Sequence, residues 1–397
     1  MFRSFRISVL ALLAGGLVIA SVPAVAQAPG PIKIGVVLSY SGGDNVILGK
    51  MADAAFAAYM KQHGDTIAGR KVELIKRDDT GIAPETAARL AQELIVQDHV
   101  DLLIGASYTP NAIGKVSTQA KVPYFIVNAA TSNIFKTNPY VARFGFTTGQ
   151  ISTPFAQWAF SYQHAKTAYA VFQDYGPGID AGTAFEKTFT AAGGHVLGES
   201  RMPLDTKDFS AYIQKVKDAK PDVMFLFINA TGGGVDFIKA LKSAGFDKTG
   251  ITFLATGDLV DEAILPTEGD TALGIVTTFD YSAMHDSALN RSFIKAFEVA
   301  YGSDQLPTFE AVQAYDAIAA AYKVLEAQHG VIDPDKTMDI VKGMHFESPR
   351  GPISIDPATR DIVQTVYFRR VERHSGILGN YEFDRYVGVK DPNETGP

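Results

Sequence analysis

The chain contains no cysteine among its 397 residues. That excludes a disulfide framework, thiolate metal sites and a cysteine nucleophile. It also excludes a lipid-modified cysteine behind a leader, so an exported product is expected to be free rather than tethered. No HExxH motif or histidine-rich run occurs, and the eight histidines are scattered singly, so neither metal nor other cofactor is expected. Positive charge is not in excess: 36 basic residues stand against 43 acidic ones, a net −7. Nothing there suggests nucleic acid or an anionic membrane as partner. Beyond the first 20 residues no apolar run is long enough to span a bilayer. Short-period repeats and low-complexity linkers are also missing.

What is present begins with a leader. MFRSFR carries two arginines, an apolar run follows from Ile7 to Ala20, and SVPAVAQA places small residues at signal-peptidase spacing. Cleavage fits before Gln27 or before Pro29. The first is preferred, because proline just after the scissile bond is poorly tolerated, and residues 1–26 are read as a signal peptide. A free exported protein that serves its own cell needs an enclosed compartment, and the Gram-negative periplasm fits.

From Pro31 onward, short β-rich runs alternate with segments of helical period. IKIGVVL (32–38), KVELIKRDD (71–79), DLLIG (101–105) and VPYFIV (122–127) read as strands, separated by helices over 48–62, 84–97 and about 110–120. After residue 150 the rhythm repeats. Helices over about 151–163, 178–192, 209–219 and 233–243 interleave with strands TAYAVFQD (167–174), HVLGES (195–200), PDVMFLFIN (221–229) and ITFLAT (251–256). Two long helices, about 287–300 and 308–327, and a β-rich tail from Gly351 to Val389 complete the chain. Near-continuous apolar strands joined by helices indicate an α/β fold of two doubly wound parallel-sheet lobes. With no linker between them, the lobes are expected to be joined by several chain crossings.

Open parallel sheets bind ligands at the carboxyl ends of their strands. That rule picks out GASYT (105–109), NAAT (128–131), QDYGPG (173–178), NATGGG (229–234) and TGD (256–258), each read as preceding a helical segment. Ser107 invites a nucleophile reading, but a hydrolase elbow needs Gly-x-Ser-x-Gly, and Thr109 stands where the second glycine belongs. NATGGG lacks the Gly-Lys-Ser/Thr ending of a phosphate loop, and tight strand-to-helix packing accounts for its glycines. GASYT and NAAT, on consecutive strands, both offer hydroxyls and backbone N–H groups suited to a carboxylate. Helix capping is the competing explanation for those hydroxyls.

The order IKIGVV, KVELIKRDDTGIAPETAARLAQELI, LIGASYT, VPYFIVNAAT and the late AYDA resembles the periplasmic leucine/isoleucine/valine-binding proteins, the type I substrate-binding subunits of ABC importers. The resemblance runs over essentially the whole chain after the leader and is most specific from Asp78 to Thr131. It implies a flytrap of two lobes joined by three hinge crossings. Lobe one then comprises residues 31–146 and 279–352, and lobe two comprises 147–278 and 353–390. Carried over by position, the family's carboxylate-binding hydroxyl falls on Thr109, its backbone-plus-threonine pair on Ala129 and Thr131, and its lobe-two tyrosine on Tyr175. Ser107, Tyr108, Asn128 and Ala130, on the same strand ends, complete the candidate ligand-binding residues there. Two departures follow. A family tyrosine falls on Asn229, and the acid that pairs a ligand ammonium falls beside Gly257, leaving Asp258 nearby. Glu310 lies where an apolar residue usually covers the ligand side chain. The expected function is non-enzymatic capture of a small, apolar amino acid, branched-chain or other, for delivery to an inner-membrane permease, by a monomer. An aromatic or keto acid is the alternative ligand. A secreted serine hydrolase and the effector domain of a repressor are the readings from other classes.

Overall fold

The structure is a computed structural model that describes residues 30–42, 46–81, 83–105, 109–230 and 233–394. The leader 1–26 and the candidates Ser107 and Tyr108 lie outside these residues. The first lobe is wound from β1 (Ile32–Leu38), α1 (Val46–His63), β2 (Thr66–Ile67), β3 (Arg70–Asp78), α2 (Pro84–Val96), β4 (Leu102–Gly105), α3 (Pro110–Ala120), β5 (Tyr124–Ile126) and β6 (Val141–Arg143). Its six strands lie in the order β2-β3-β1-β4-β5-β6, parallel except for the short β2. Alternation along each strand feeds two cores. Ile34 and Val36 of β1 and Leu102 and Ile104 of β4 enter one cluster, while Val37 and Leu103 enter the cluster on the opposite face. Burial of each such side chain contributes about 1.5–3 kcal/mol.

The second lobe follows with α4 (Thr148–Ser161), β7 (Thr167–Gln173), α5 (Gly176–Ala191), β8 (His195–Met202), α6 (Ser210–Ala219), β9 (Val223–Phe227), α7 (Gly234–Ser243), β10 (Thr252–Thr256), the single-turn α8 (Leu265–Glu268) and β11 (Val276–Phe279). The chain then makes α9 (Ala288–Tyr301), α10 (Phe309–Ala327) and α11 (Pro334–Val341). It ends in β12 (His345–Ser348), β13 (Gly351–Ile355), β14 (Ile362–His374) and β15 (Ile377–Val389). The second sheet runs β12-β13-β14-β11-β10-β9-β7-β8, with β15 paired to β14. Its core strands are parallel, and β14 joins β11 antiparallel. Met224 and Leu226 of β9 face one core cluster, and Phe225 and Phe227 face the other.

Although α9 and α10 come after the second sheet in sequence, they pack on the first lobe. Phe293, Phe297, Phe309 and Ile318 share a cluster with Ile34, Met51 and Phe56. Runs of alanine on α1 and α10 let the two backbones approach closely, and α10 is buried along nearly its whole length. A helix apolar on every side is a core helix. Strands β13 and β14 extend the second sheet while Ile353, Ile355 and Ile362 pack in the first lobe's core. Both lobes belong to one compact unit that starts at Pro31.

Candidate functional site

The parallel register brings the candidate strand ends onto common edges. Leu103, Ile104 and Gly105 of β4 pair with Tyr124, Phe125 and Ile126 of β5, so Thr109 and Asn128–Thr131 leave the same edge of lobe one. In lobe two β10, β9 and β7 are consecutive, so Asp258, Asn229 and Tyr175 emerge side by side. Gly105 has no room for a side chain: a Cβ would lie 2.2 Å from the Val37 carbonyl oxygen. Without the glycine the two strands could not run this close at the cleft edge.

Thr109 precedes α3 as its N-cap residue, yet its side chain makes no capping hydrogen bond. The residue is 4 % exposed, and its Oγ1 is buried without a partner. Capping therefore does not account for this hydroxyl. Thr131 differs from the expectation. No α-helix starts beside it; NAAT runs into a loop and one 3-10 turn over Phe135–Thr137. Left-handed Asn128 and Asn133 and the Asn138–Pro139 step interrupt any helical run there, so the NAAT segment starts no helix of its own. The Thr131 side chain instead faces lobe two, where a Cβ on Gly176 would sit 3.4 Å from its Oγ1. Nearby, the Ser132 N–H donates to Asp180 at 3.2 Å, and the Thr148 N–H donates to the Ala130 carbonyl. Ala129 is buried, and the Asn128 N–H donates to Gln313 Oε1 at 2.8 Å. Tyr175 starts α5 and its ring lies 6.2 Å from that of Phe227; the Asn229 N–H donates to Gln173.

A cavity of about 320 Å³ opens between the lobes, within the size range of small-ligand pockets. Ile47, Thr308 and Glu310 line it from lobe one, and Ala230, Gly233, Gly234, Val235, Asp261, Ala263 and Ile264 from lobe two. Of the described sequence candidates only Glu310 is among its lining residues. Thr109, Thr131, Tyr175 and Asp258 are not among its lining residues, although Ala230 adjoins Asn229. Gly233 and Gly234 do pack tightly, with Leu259 only 3.1 Å from a Cβ on Gly234, but they also form cavity wall.

On and behind this wall lies a group of buried acids. Burial pushes Asp258 up to about 7, opposed by the Thr256 hydroxyl and Arg369 and reinforced by Asp280. Burial likewise pushes Glu310 up to about 7, with Asp258 and Asp280 adding repulsion. Asp261 is raised well above the usual carboxylate range by burial and by Glu310. Glu262 is raised by burial but held back by Arg369, 3.8 Å away. Arg369 is fully buried, donates to the carbonyls of Tyr281 and Gly257, and sits over the Phe279 ring at 4.8 Å. Gly257 permits this: a Cβ there would be 2.3 Å from the guanidinium. Asp261 and Glu262 escaped the sequence reading. The only signal was an acidic pair three residues beyond a strand end already singled out.

Segments far apart in sequence meet at Arg350. Its guanidinium donates to Asp316 at 2.9 Å, Asp280 at 2.6 Å, Gln364 at 2.7 Å and the Phe144 carbonyl at 2.5 Å. Gln364 donates to Gln150, and Gln150 to the Ile362 and Val389 carbonyls. Gln313 bridges Asp280 to Asn128, so this network touches the candidate carboxylate cradle.

Residues 31–376 match the family model for periplasmic binding proteins. A relative from Brucella suis named Leu/Ile/Val-binding protein homolog 6 is 40 % identical, spanning 91 % of this chain and 93 % of its own. A solute-binding protein of an ABC transporter from Rhodopseudomonas palustris, solved with 3,4-dihydroxybenzoic acid, is 44 % identical with a TM-score of 0.85, covering 92 % of this chain and 99 % of that one. A second from that species, solved with p-hydroxybenzoic acid, is 40 % identical with a TM-score of 0.87, covering 91 % and 98 %. The two wound lobes have their counterpart in these proteins: the chain belongs to the periplasmic binding protein family, in its type I, Leu/Ile/Val-binding-protein-like form, and is a solute-binding protein of an ABC transporter.

Proposed function

We propose that this protein captures an aromatic carboxylic acid of the hydroxybenzoate class between its lobes and hands it unchanged to an inner-membrane ABC permease. The observation that carries this reading is the pair of solved relatives, 44 % and 40 % identical over nearly the whole chain, that hold dihydroxybenzoic and hydroxybenzoic acid. The cavity supports it. Its walls are largely apolar, from Ile47, Ala230, Val235, Ala263 and Ile264, and no lysine, arginine or histidine occurs among its described lining residues. For the carboxylate end the candidates are Thr109, with a buried and unpartnered hydroxyl, and Thr131, which leave the edge of the lobe-one sheet outside the described lining of this cavity. Export through the leader 1–26 places the protein free in the periplasm as a monomer, and the ligand closes the lobes by binding the closed state better.

An amino acid is the second reading, favoured by the name of the Brucella relative and by the acids Asp258 and Glu310, which offer an ammonium a partner. Native mass spectrometry of protein purified from its own host weighs a co-purified ligand directly. A bound hydroxybenzoate supports the first reading, and a bound amino acid overturns it.

A further inference from the structure

Two buried acids face the interlobe cavity from opposite sides. Asp261 lies just beyond β10 on lobe two and is 1 % exposed; Glu310 lies in the first turn of α10 on lobe one and is 7 % exposed. Asp261 Oδ1 accepts the Ala263 N–H at 2.9 Å, but its Oδ2 is buried with no partner. An orphaned buried carboxylate oxygen is costly, and on a cavity wall the missing donor is one that a ligand can bring. The groups around the pair do not supply it. Asp258, Glu262 and Asp280 share its sign, and Arg369, the cation among them, is committed to Glu262 and to the Tyr281 and Gly257 carbonyls. Among the described lining residues every other side chain is apolar or absent apart from Thr308, which lies beside Glu310.

We infer that Asp261 and Glu310 together read a hydroxyl at the end of the ligand remote from its carboxylate, so the site selects phenolic acids over aromatic acids that lack a donor there. The inference rests on the aromatic-acid reading above and deepens it. A phenol is neutral and both donates and accepts. With one acid of the pair ionised and the other protonated, the phenol O–H donates to the carboxylate and its oxygen accepts from the carboxyl, so both acids are satisfied across the cleft. Burial raises both acids, with repulsion from Glu310 adding to it at Asp261 and repulsion from Asp258 and Asp280 adding to it at Glu310, and this favours the shared proton. The same contact ties lobe two to lobe one, so the hydroxyl also favours closure. An unsubstituted ring leaves Oδ2 of Asp261 orphaned. A methoxy group offers only an acceptor and adds bulk.

The test is calorimetric titration of wild type, Asp261→Asn and Glu310→Gln with 4-hydroxybenzoate, 4-methoxybenzoate and benzoate. Wild type is expected to bind 4-hydroxybenzoate at least about tenfold tighter than either other acid, because a site built to bond a hydroxyl rejects analogues without one. Each substitution should shrink that margin to about threefold or less, chiefly by weakening 4-hydroxybenzoate. Each variant removes one member of a crowded set of buried acids, so their thermal midpoints should not fall below wild type. If one fails to fold, the other and the wild-type ligand series still decide. Equal binding of all three acids by wild type, or a margin that survives both substitutions, overturns the inference while leaving the aromatic-acid reading standing. Failure of all three acids to bind, with leucine binding instead, overturns both.

Discussion

Arg350 offers a perturbation whose size follows from the structure. The residue is 1 % exposed and its guanidinium bonds two buried carboxylates, one amide and one carbonyl, on segments far apart in sequence. In Arg350→Met the aliphatic stem survives but Asp280 and Asp316 are left as uncompensated buried charges. Breaking a buried ion pair from one side costs about 3–5 kcal/mol. In a chain of this size that lowers the thermal midpoint by about 4–6 °C. The loss must depend on pH. Burial already pushes Asp316 up to about 6, with Arg350 the main opposing influence, and raises Asp280, again opposed by Arg350. An acid whose folded value lies above its unfolded one binds its proton better in the native state. Its favourable contribution is therefore complete below the ordinary value of 3.8 and disappears as pH rises through the folded value. Removing Arg350 raises both acids further, so the variant should lose most at pH 8 and recover part of the loss at pH 5. Adding Asp280→Asn and Asp316→Asn should recover stability at both pH values. Unfolding followed by circular dichroism at pH 5 and pH 8 reads all of this. A cost below about 1 kcal/mol, or one equal at the two pH values, would refute the reasoning.

Thr109→Val removes a buried hydroxyl that has no partner, so the unliganded protein should be at least as stable as wild type. Ligand affinity, measured by calorimetry, should fall by about 1–3 kcal/mol. Asp258→Asn separates the two ligand classes. For an aromatic acid the change should be neutral or helpful, whereas an α-amino acid paired to Asp258 should lose about 2–5 kcal/mol. Gly257→Ala places a methyl group against Arg369 and Phe279, and the resulting overpacking should lower stability by about 1–3 kcal/mol in thermal unfolding.

Much of the fold is legible because its strands are short, apolar and bounded by helices. IKIGVVL is read and observed over the same residues, and the helix read at 308–327 is found at Phe309–Ala327. β12 escapes because it is four residues long and half exposed, and α11, although amphipathic, because it is only eight residues long. The helix expected after Thr131 fails because local asparagine and proline preferences decide a segment with no apolar stripe. At the site, a strand running into hydroxyls exposes Thr109, since that signal is local. The Asp261–Glu310 pairing is not local. It depends on a return of the chain from lobe two to lobe one that no short motif encodes. Arg350 is illegible for the same reason, for its partners at Phe144, Asp280, Asp316 and Gln364 converge only in the folded chain.

The central claim is that the cleft binds an aromatic carboxylic acid, and calorimetry of the wild-type protein against 4-hydroxybenzoate and leucine tests it most directly. The account predicts saturable one-to-one binding of 4-hydroxybenzoate and at least about 100-fold weaker binding of leucine, whose ammonium would enter the closed cleft without the apolar ring that fills it. Tight binding of leucine with no detectable binding of 4-hydroxybenzoate would contradict it.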